Sequence, residues 1–162
     1  MKRVVFVCLG NICRSPMAEA VFRHLVAEKN LSEQIAVDSA GTSDWHRGES
    51  AHAGTRRELA RHQIPADNLV SRPVDSHDFE TADYLVAMDR SVYRQLLARG
   101  APRHKLLLFM DLLPEIPGKD VPDPYYTGDF AEVYQLIEQG CRRLLESLAD
   151  GAERWSPRGA SS

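Results

Sequence analysis

Apolar segments of strand character alternate along this chain with segments of helical period, and that alternation constrains its fold more than any other feature. Residues 3–8, RVVFVC, are β-branched and aromatic, the kind of short run that fills the interior of a sheet. After them Met17, Ala20, Val21, His24 and Leu25 recur at helical spacing up to about Lys29, with Ser15 as the expected N-cap and Pro16 as the first helical residue. A second strand fits residues 35–39, and a helix carried by Leu59 and its neighbours fits 51–63. Residues 84–88 and 105–110 read as the third and fourth strands, with a helix over 91–99 between them. The segment 111–129 holds four of the nine prolines and is expected to be irregular. Beyond it Phe130, Val133, Tyr134, Ile137, Cys141, Leu144, Leu145 and Leu148 make one long amphipathic stripe. Strands that alternate with helices imply right-handed crossovers. The expected fold is therefore α/β: a single doubly wound, Rossmann-like, four-stranded parallel sheet with helices on both faces. No internal repeat or linker interrupts it. Residues 1–150 are expected to form one domain and the polar stretch 151–162 a flexible tail.

Composition excludes some functions. With a formal net charge of −3 there is no electrostatic case for nucleic acid. No apolar run approaches the roughly 20 residues needed to span a bilayer. The N-terminus MKRVVFVCLG is basic and then apolar, like a signal peptide, but its apolar run is too short and no small-residue cleavage site follows. Three cysteines, an odd number without framework spacing, favour a reducing compartment. A cytoplasmic protein is expected.

In a parallel sheet, ligands bind at the carboxyl ends of the strands. The first such end reads VCLGNICRSP, a C-x5-R-S loop leading from strand to helix. Backbone N–H groups of such a loop can converge on an anion, and the helix N-terminus adds positive potential. Gly10 can adopt backbone angles that strain other residues. Arg14 supplies a planar fork that matches two phosphate oxygens. A thiol at Cys8 would feel all of these and favour its thiolate form. Taken alone, Cys8 could be a buried strand residue and Arg14 a surface charge; the Gly-Asn inside and the Ser-Pro after them argue for a site. No G-x4-G-K-[ST] is present, which excludes a nucleoside-triphosphate loop. Neither Cys8 and Cys13 nor the six histidines have metal-ligand spacing, so no metal is expected.

The stretch VCLGNICRSPMAEA resembles the low-molecular-weight protein tyrosine phosphatases, and DSAGTSDWHRG, RHQIP, LVAMD and DPYY agree with that family in order. The resemblance runs from about Arg3 to Ala149. It implies a phosphatase P-loop after the first strand, formed by Cys8, Leu9, Gly10, Asn11, Ile12, Cys13, Arg14 and Ser15. It also implies a hydrolase that needs no metal or cofactor and works through a phosphocysteine at Cys8. Asp123, in DPYY, matches the family's general acid, which protonates a leaving phenolate; Asp120 is its neighbouring competitor. Ser15 matches a hydroxyl that assists the departing thiolate. Asn11, Ser39 and His62 match a network that braces the loop, and Gln63 stands where relatives carry glycine. Leu9, Trp45 and Tyr125 correspond to the walls around a phenyl ring, with His46 and Tyr126 at the mouth. Cys13 matches a partner that can form a protective disulfide with Cys8. Asp89 reads as a helix cap, and Met17 and Cys141 as core.

The implied substrates are phosphotyrosine-bearing proteins, with a tyrosine kinase as opposing partner and inorganic phosphate as an inhibiting product. Three alternatives remain open. Arsenate reductases of this fold would need two further cysteines mid-chain, and none lies between Cys13 and Cys141. Phosphoarginine phosphatases of the family carry Thr where this chain has Ile12. A silent phosphate-binding module would be expected to lose Cys8, Arg14 or Asp123, and all three are present.

Overall fold

Strand β1 (Lys2–Cys8) is flanked by β2 (Ile35–Gly41) and β3 (Tyr84–Ala87), and β4 (Leu106–Leu108) lies outside β3. The order β2-β1-β3-β4 is parallel throughout, with Lys2 opposite Ile35 and Cys8 opposite Gly41. These features come from a computed structural model that describes residues 1–149; the expected tail, 151–162, lies outside the described residues. Paired on both sides, β1 is buried along its apolar length, which is why Val4 to Val7 show no exposure.

Successive strand residues face opposite ways. Val4, Phe6 and Cys8 turn toward α1 (Arg14–Glu28) and α6 (Phe130–Ala149), while Val5 and Val7 turn toward α4 (Arg90–Ala98). Helix α2 (Ala53–Arg61) adds Leu59 to the first face, and α3 (Ser76–Thr81) packs Phe79 on the second. Helices therefore cover both faces of the sheet, as expected. Phe6 meets Phe22 edge-on, with centroids 5.7 Å apart. Each large side chain buried in this way contributes about 1.5–3 kcal/mol. Met17 and Cys141 lie in the same core.

Three local expectations are corrected. Helix α1 begins at Arg14 after Cys13, and no side chain caps it. Ser15 is not the N-cap: its hydroxyl turns back into the loop, and the first N–H groups of α1 are left for a ligand. The fourth strand pairs only over Leu106–Leu108, after which Phe109–Leu112 tightens into a 3-10 turn. The proline-rich segment is not wholly irregular. Asp123 caps a one-turn helix α5 (Pro124–Thr127), Pro124 starts it, and Gly128 ends it at φ 74°.

Candidate active site

Cys8, the last residue of β1, stands at the carboxyl edge of the sheet with Ser43 and Asp89, which lie just past β2 and β3. The loop after it is held open from outside. The carbonyl of Cys8 accepts the Thr42 N–H, that of Leu9 the Ser43 N–H, and that of Ile12 the His52 N–H at 2.8 Å. The Gly10 carbonyl accepts the Ser71 hydroxyl at 2.9 Å, and the Cys13 carbonyl accepts that of Thr55 at 3.2 Å. With its carbonyls drawn outward, the loop turns N–H groups inward. Among the described residues, those of Gly10, Ile12 and Cys13 find no acceptor. Such a nest of N–H groups over a helix N-terminus is an anion site.

The strained position in this loop is Asn11 rather than Gly10. Asn11 has φ 57°, which asparagine tolerates better than most side chains. Space at Gly10 is tight, since a Cβ there would stand 3.0 Å from the His46 ring, which would have to give by a few tenths of an ångström. Space is tight at Gly41 too: a Cβ on it would lie 2.8 Å from the Leu9 carbonyl oxygen.

Asn11 is held on every side. Its Nδ2 donates to Ser15 Oγ at 2.8 Å and Ser39 Oγ at 3.0 Å, and its Oδ1 accepts the Arg72 N–H at 3.0 Å. Ser39 in turn donates to buried Glu19 at 2.6 Å, and Glu19 also pairs with Arg23. Burial pushes the Glu19 carboxyl upward against the pull of Ser39 and Arg23. The result is an Asn11 N–H 3.3 Å from Cys8 Sγ and a Ser15 hydroxyl 3.0 Å from the same sulfur. The Asn11 N–H donates to the sulfur, and between Cys8 and Ser15 either group can donate.

His62 does not join this network, contrary to the sequence expectation. It ends α2, meets Glu58 at 3.0 Å and stacks on Tyr134 of α6 with ring centroids 3.7 Å apart. The physical reason is distance along the helix: Thr55, near the start of α2, reaches the Cys13 carbonyl, and His62 follows it by seven residues, about 10 Å further along the axis; Arg72 reaches the loop from beyond the helix. Glu19 and Arg72 were missed by sequence reasoning. Glu19 sits four residues from Ser15, a spacing that could have placed it one turn deeper on the same helix face.

Arg14 is 3% exposed, and its charge is retained. Burial works against it, but Cys8, Asp89 and Asp123 outweigh burial and hold its pKa above the ordinary value. One terminal nitrogen donates to Asp89 at 2.7 Å and to the Val121 carbonyl at 3.1 Å; the other reaches Asp123 at 3.4 Å. Its Nε is buried without an acceptor. Asp89 also caps α4, accepting the Val92 N–H at 2.7 Å, so the expected structural role holds alongside a second one. Asp123 accepts the Tyr125 N–H at 3.1 Å and lies at the cleft. Asp120 is committed to Arg90, whose N–H it accepts at 2.8 Å, and that pairing outweighs its partial burial to lower its pKa.

One cleft of about 130 Å³ joins these groups: Cys8, Arg14 and Asp123 share it with Leu9, Ile12, Cys13, Trp45, His46, Tyr125 and Tyr126. Trp45, Tyr125 and Tyr126 are more than half exposed, an unusual position for three aromatic rings unless they receive something. Cys13 is buried, and burial together with the charges of Asp123 and Cys8 pushes its thiol up to about 12. It is a neutral thiol in the same cleft as Cys8. Among the described residues no group of three or more His, Cys, Asp or Glu is arranged to hold a metal. None of the described helices is long and apolar enough to cross a membrane.

A parallel α/β sheet whose first strand ends in a cysteine, followed by a loop of inward N–H groups and a buried arginine, defines a protein built to hold an anion at that strand end. The family model for low molecular weight phosphotyrosine protein phosphatase matches residues 3–154. The low molecular weight protein-tyrosine-phosphatase YfkJ of Bacillus subtilis is 45% identical over 150 residues, 91% of this chain and 96% of its own length. Its crystal structure superposes with a TM-score of 0.90 at 44% identity, over 93% of this chain and 96% of the other. A protein tyrosine phosphatase from Entamoeba histolytica gives 0.86 at 38% identity, covering 93% and 99%. A Drosophila arginine phosphatase gives 0.83 at 34% identity, covering 91% and 98%. The chain belongs to the low molecular weight protein tyrosine phosphatase family, a family of hydrolases.

Proposed function

We propose that this chain hydrolyses phosphotyrosine in proteins, with Cys8 as nucleophile, Arg14 as phosphate clamp and Asp123 as general acid and base. The observation that carries this reading is the meeting of these three groups in one cleft walled by exposed aromatic rings. The Cys8 thiolate attacks phosphorus, and the P–O bond to the phenol breaks as Asp123 protonates the leaving oxygen. Arg14 Nε and the inward N–H groups of the loop meet the equatorial oxygens of the transferring group, where positioning and charge carry most of the catalysis. Asp123 then takes a proton from water, which attacks the phosphocysteine. The Cys8–phosphorus bond breaks, and the Ser15 hydroxyl stabilises the returning thiolate. Inorganic phosphate leaves and competes as a product inhibitor.

Leu9, Trp45 and Tyr125 form the slot for the ring, with His46 and Tyr126 at its mouth; a flat slot favours aryl groups. Ile12 puts an apolar side chain in the cleft where the phosphoarginine-directed members carry Thr, and so supports phosphotyrosine. Cys13 protects the nucleophile: peroxide oxidises Cys8 to a sulfenic acid, which condenses with the Cys13 thiol to a disulfide and water. Thiol reductants restore both. Residues 1–150 are the catalytic domain, and the enzyme works in the cytoplasm opposite a tyrosine kinase.

The test is kcat/KM for matched phosphotyrosine, phosphoserine and phosphoarginine peptides. The expected result is a preference for phosphotyrosine of about a hundredfold or more, the scale on which a site rejects a substrate lacking its main contact. A preference for phosphoarginine would move the function to the other branch of the family.

A further inference from the structure

Helix α2 starts on a residue seldom chosen for that place. N-cap positions favour Ser, Thr, Asp and Asn, yet His52 holds this one, and its Nδ1 accepts the Gly54 N–H at 2.9 Å. A neutral ring that accepts at Nδ1 carries its proton on Nε2. A smaller cap would satisfy α2 equally well but could not reach further. The His52 ring stacks on Phe130, with centroids 5.2 Å apart at 23°. It also meets Tyr125 edge-on at 6.0 Å and 75°. Phe130 can lie there because residue 54 is glycine: a Cβ would stand 2.3 Å from the Phe130 ring. The backbone N–H of His52 donates to the Ile12 carbonyl in the phosphate loop.

One residue is thus tied by its backbone to the loop, by a ring nitrogen to α2, and by its ring to Tyr125 within α5 and Phe130 just beyond it. Tyr125 is 53% exposed, so little else fixes its ring. Its other ring neighbours are His46 at 6.3 Å and Tyr126 at 5.3 Å, and Tyr126 is itself 78% exposed.

We propose that His52 is a positioning residue whose ring sets the orientation of the Tyr125 wall, and so tunes the aryl half of the site, while its backbone bond to the phosphate loop is independent of the side chain. The inference rests on Tyr125 being a substrate wall, as assigned above. A plain capping role would be served by asparagine. An aromatic positioning role would be served by phenylalanine.

Two substitutions separate these roles. His52→Asn keeps a cap and removes the ring; His52→Phe keeps a ring and removes the cap. Each is compared with Tyr125→Ala and with the His52→Asn/Tyr125→Ala double variant. The readouts are KM and kcat for p-nitrophenyl phosphate, the inhibition constant of inorganic phosphate, and Tm. His52→Asn is expected to raise KM by about 2- to 10-fold, the range an aromatic edge contact carries. The phosphate inhibition constant should stay within about twofold. His52→Phe is expected to lose about 2–4 °C of Tm through the lost cap, with KM close to that of the wild type. The double variant should be no worse than Tyr125→Ala alone, because the two residues act through one contact. If Tyr125→Ala raises KM and His52→Asn does not, the inference fails while the wall assignment stands. A parallel rise of KM and the phosphate constant in His52→Asn would also overturn it, since that is damage to the loop. An unchanged KM in Tyr125→Ala would remove the wall assignment and the inference with it.

Discussion

Replacing Asp89 by asparagine separates two jobs that one carboxylate performs. Its Oδ1 caps α4 through the Val92 N–H, and its Oδ2 takes the Arg14 nitrogen at 2.7 Å. Asparagine can keep the cap with its carbonyl oxygen, but its amide then faces the guanidinium with a donor. The pair is well buried, with 4% and 17% of the two side chains exposed. Removing one partner of a buried pair costs about 3–5 kcal/mol when the other is left alone. Arg14 is not left alone, because the Val121 carbonyl at 3.1 Å and Asp123 at 3.4 Å remain. The expected loss is therefore nearer that of one charged hydrogen bond, about 2 kcal/mol. For a chain of this size that corresponds to roughly 4–8 °C in Tm. If Arg14 clamps phosphate as proposed, freeing it from Asp89 also lowers its time in that geometry, and a loss of about tenfold in kcat/KM is expected for about 1.4 kcal/mol of misplacement. Thermal melting and p-nitrophenyl phosphate turnover measure the two effects. A destabilised variant with wild-type kcat/KM would show that Asp89 does not orient Arg14 for the proposed reaction. An unchanged Tm would show that the ion pair contributes nothing.

Two further outcomes follow from the same structure. Helix α2 ends with Ile64 N–H on the Leu59 carbonyl and Gln63 N–H on that of Ala60, a pattern that puts Gln63 at φ 58°, where glycine is the usual residue. Gln63→Gly should stabilise the fold by about 1 kcal/mol, seen as a rise in Tm of about 2–4 °C, and a fall would refute the account of this turn. Asp78 is pulled down to about 2: burial would raise it, but hydrogen bonds from Arg72, the Asp75 backbone and Arg3 prevail. A depressed carboxylate stabilises the fold above its unfolded pKa, and that stabilisation is lost as pH falls from about 4 toward about 2. Denaturation as a function of pH should show Asp78→Asn with a shallower stability loss in that window; equal slopes would mean that its partners do not hold the Asp78 carboxyl down.

Much of this arrangement could be read along the chain, because it is written in local patterns. RVVFVC has the composition of a doubly covered strand, and C-x5-R-S joins it to a helix over a span too short to be ambiguous. The DPYY stretch brings together Asp123, Tyr125 and Tyr126, which share one cleft in the fold. What escaped was set by partners far away in sequence. Arg72 reaches Asn11 across 61 positions and Asp89 reaches Arg14 across 75, and no periodicity announces either contact. Ser15 looked like a cap because Ser-Pro usually starts a helix, but tertiary contacts with Cys8 and Asn11 recruited its hydroxyl instead. His62 was placed by likeness of its neighbours in sequence, while the turn of α2 directs its ring at Tyr134. The helix α5 was hidden by the prolines around it, although Asp123 as its cap, Pro124 as its first residue and Gly128 after it are start and stop signals.

The central claim is that phosphate passes through a covalent bond to Cys8. Rapid acid quench of the wild type with an aryl phosphate carrying labelled phosphorus, followed by peptide mapping, measures this directly. The account predicts transient label on the peptide containing Cys8, formed as the phenol is released and lost as phosphate appears. It predicts no label and no turnover in a folded Cys8→Ser variant. Turnover in that variant, or release of phenol and phosphate together with no labelled peptide at any time, would contradict it.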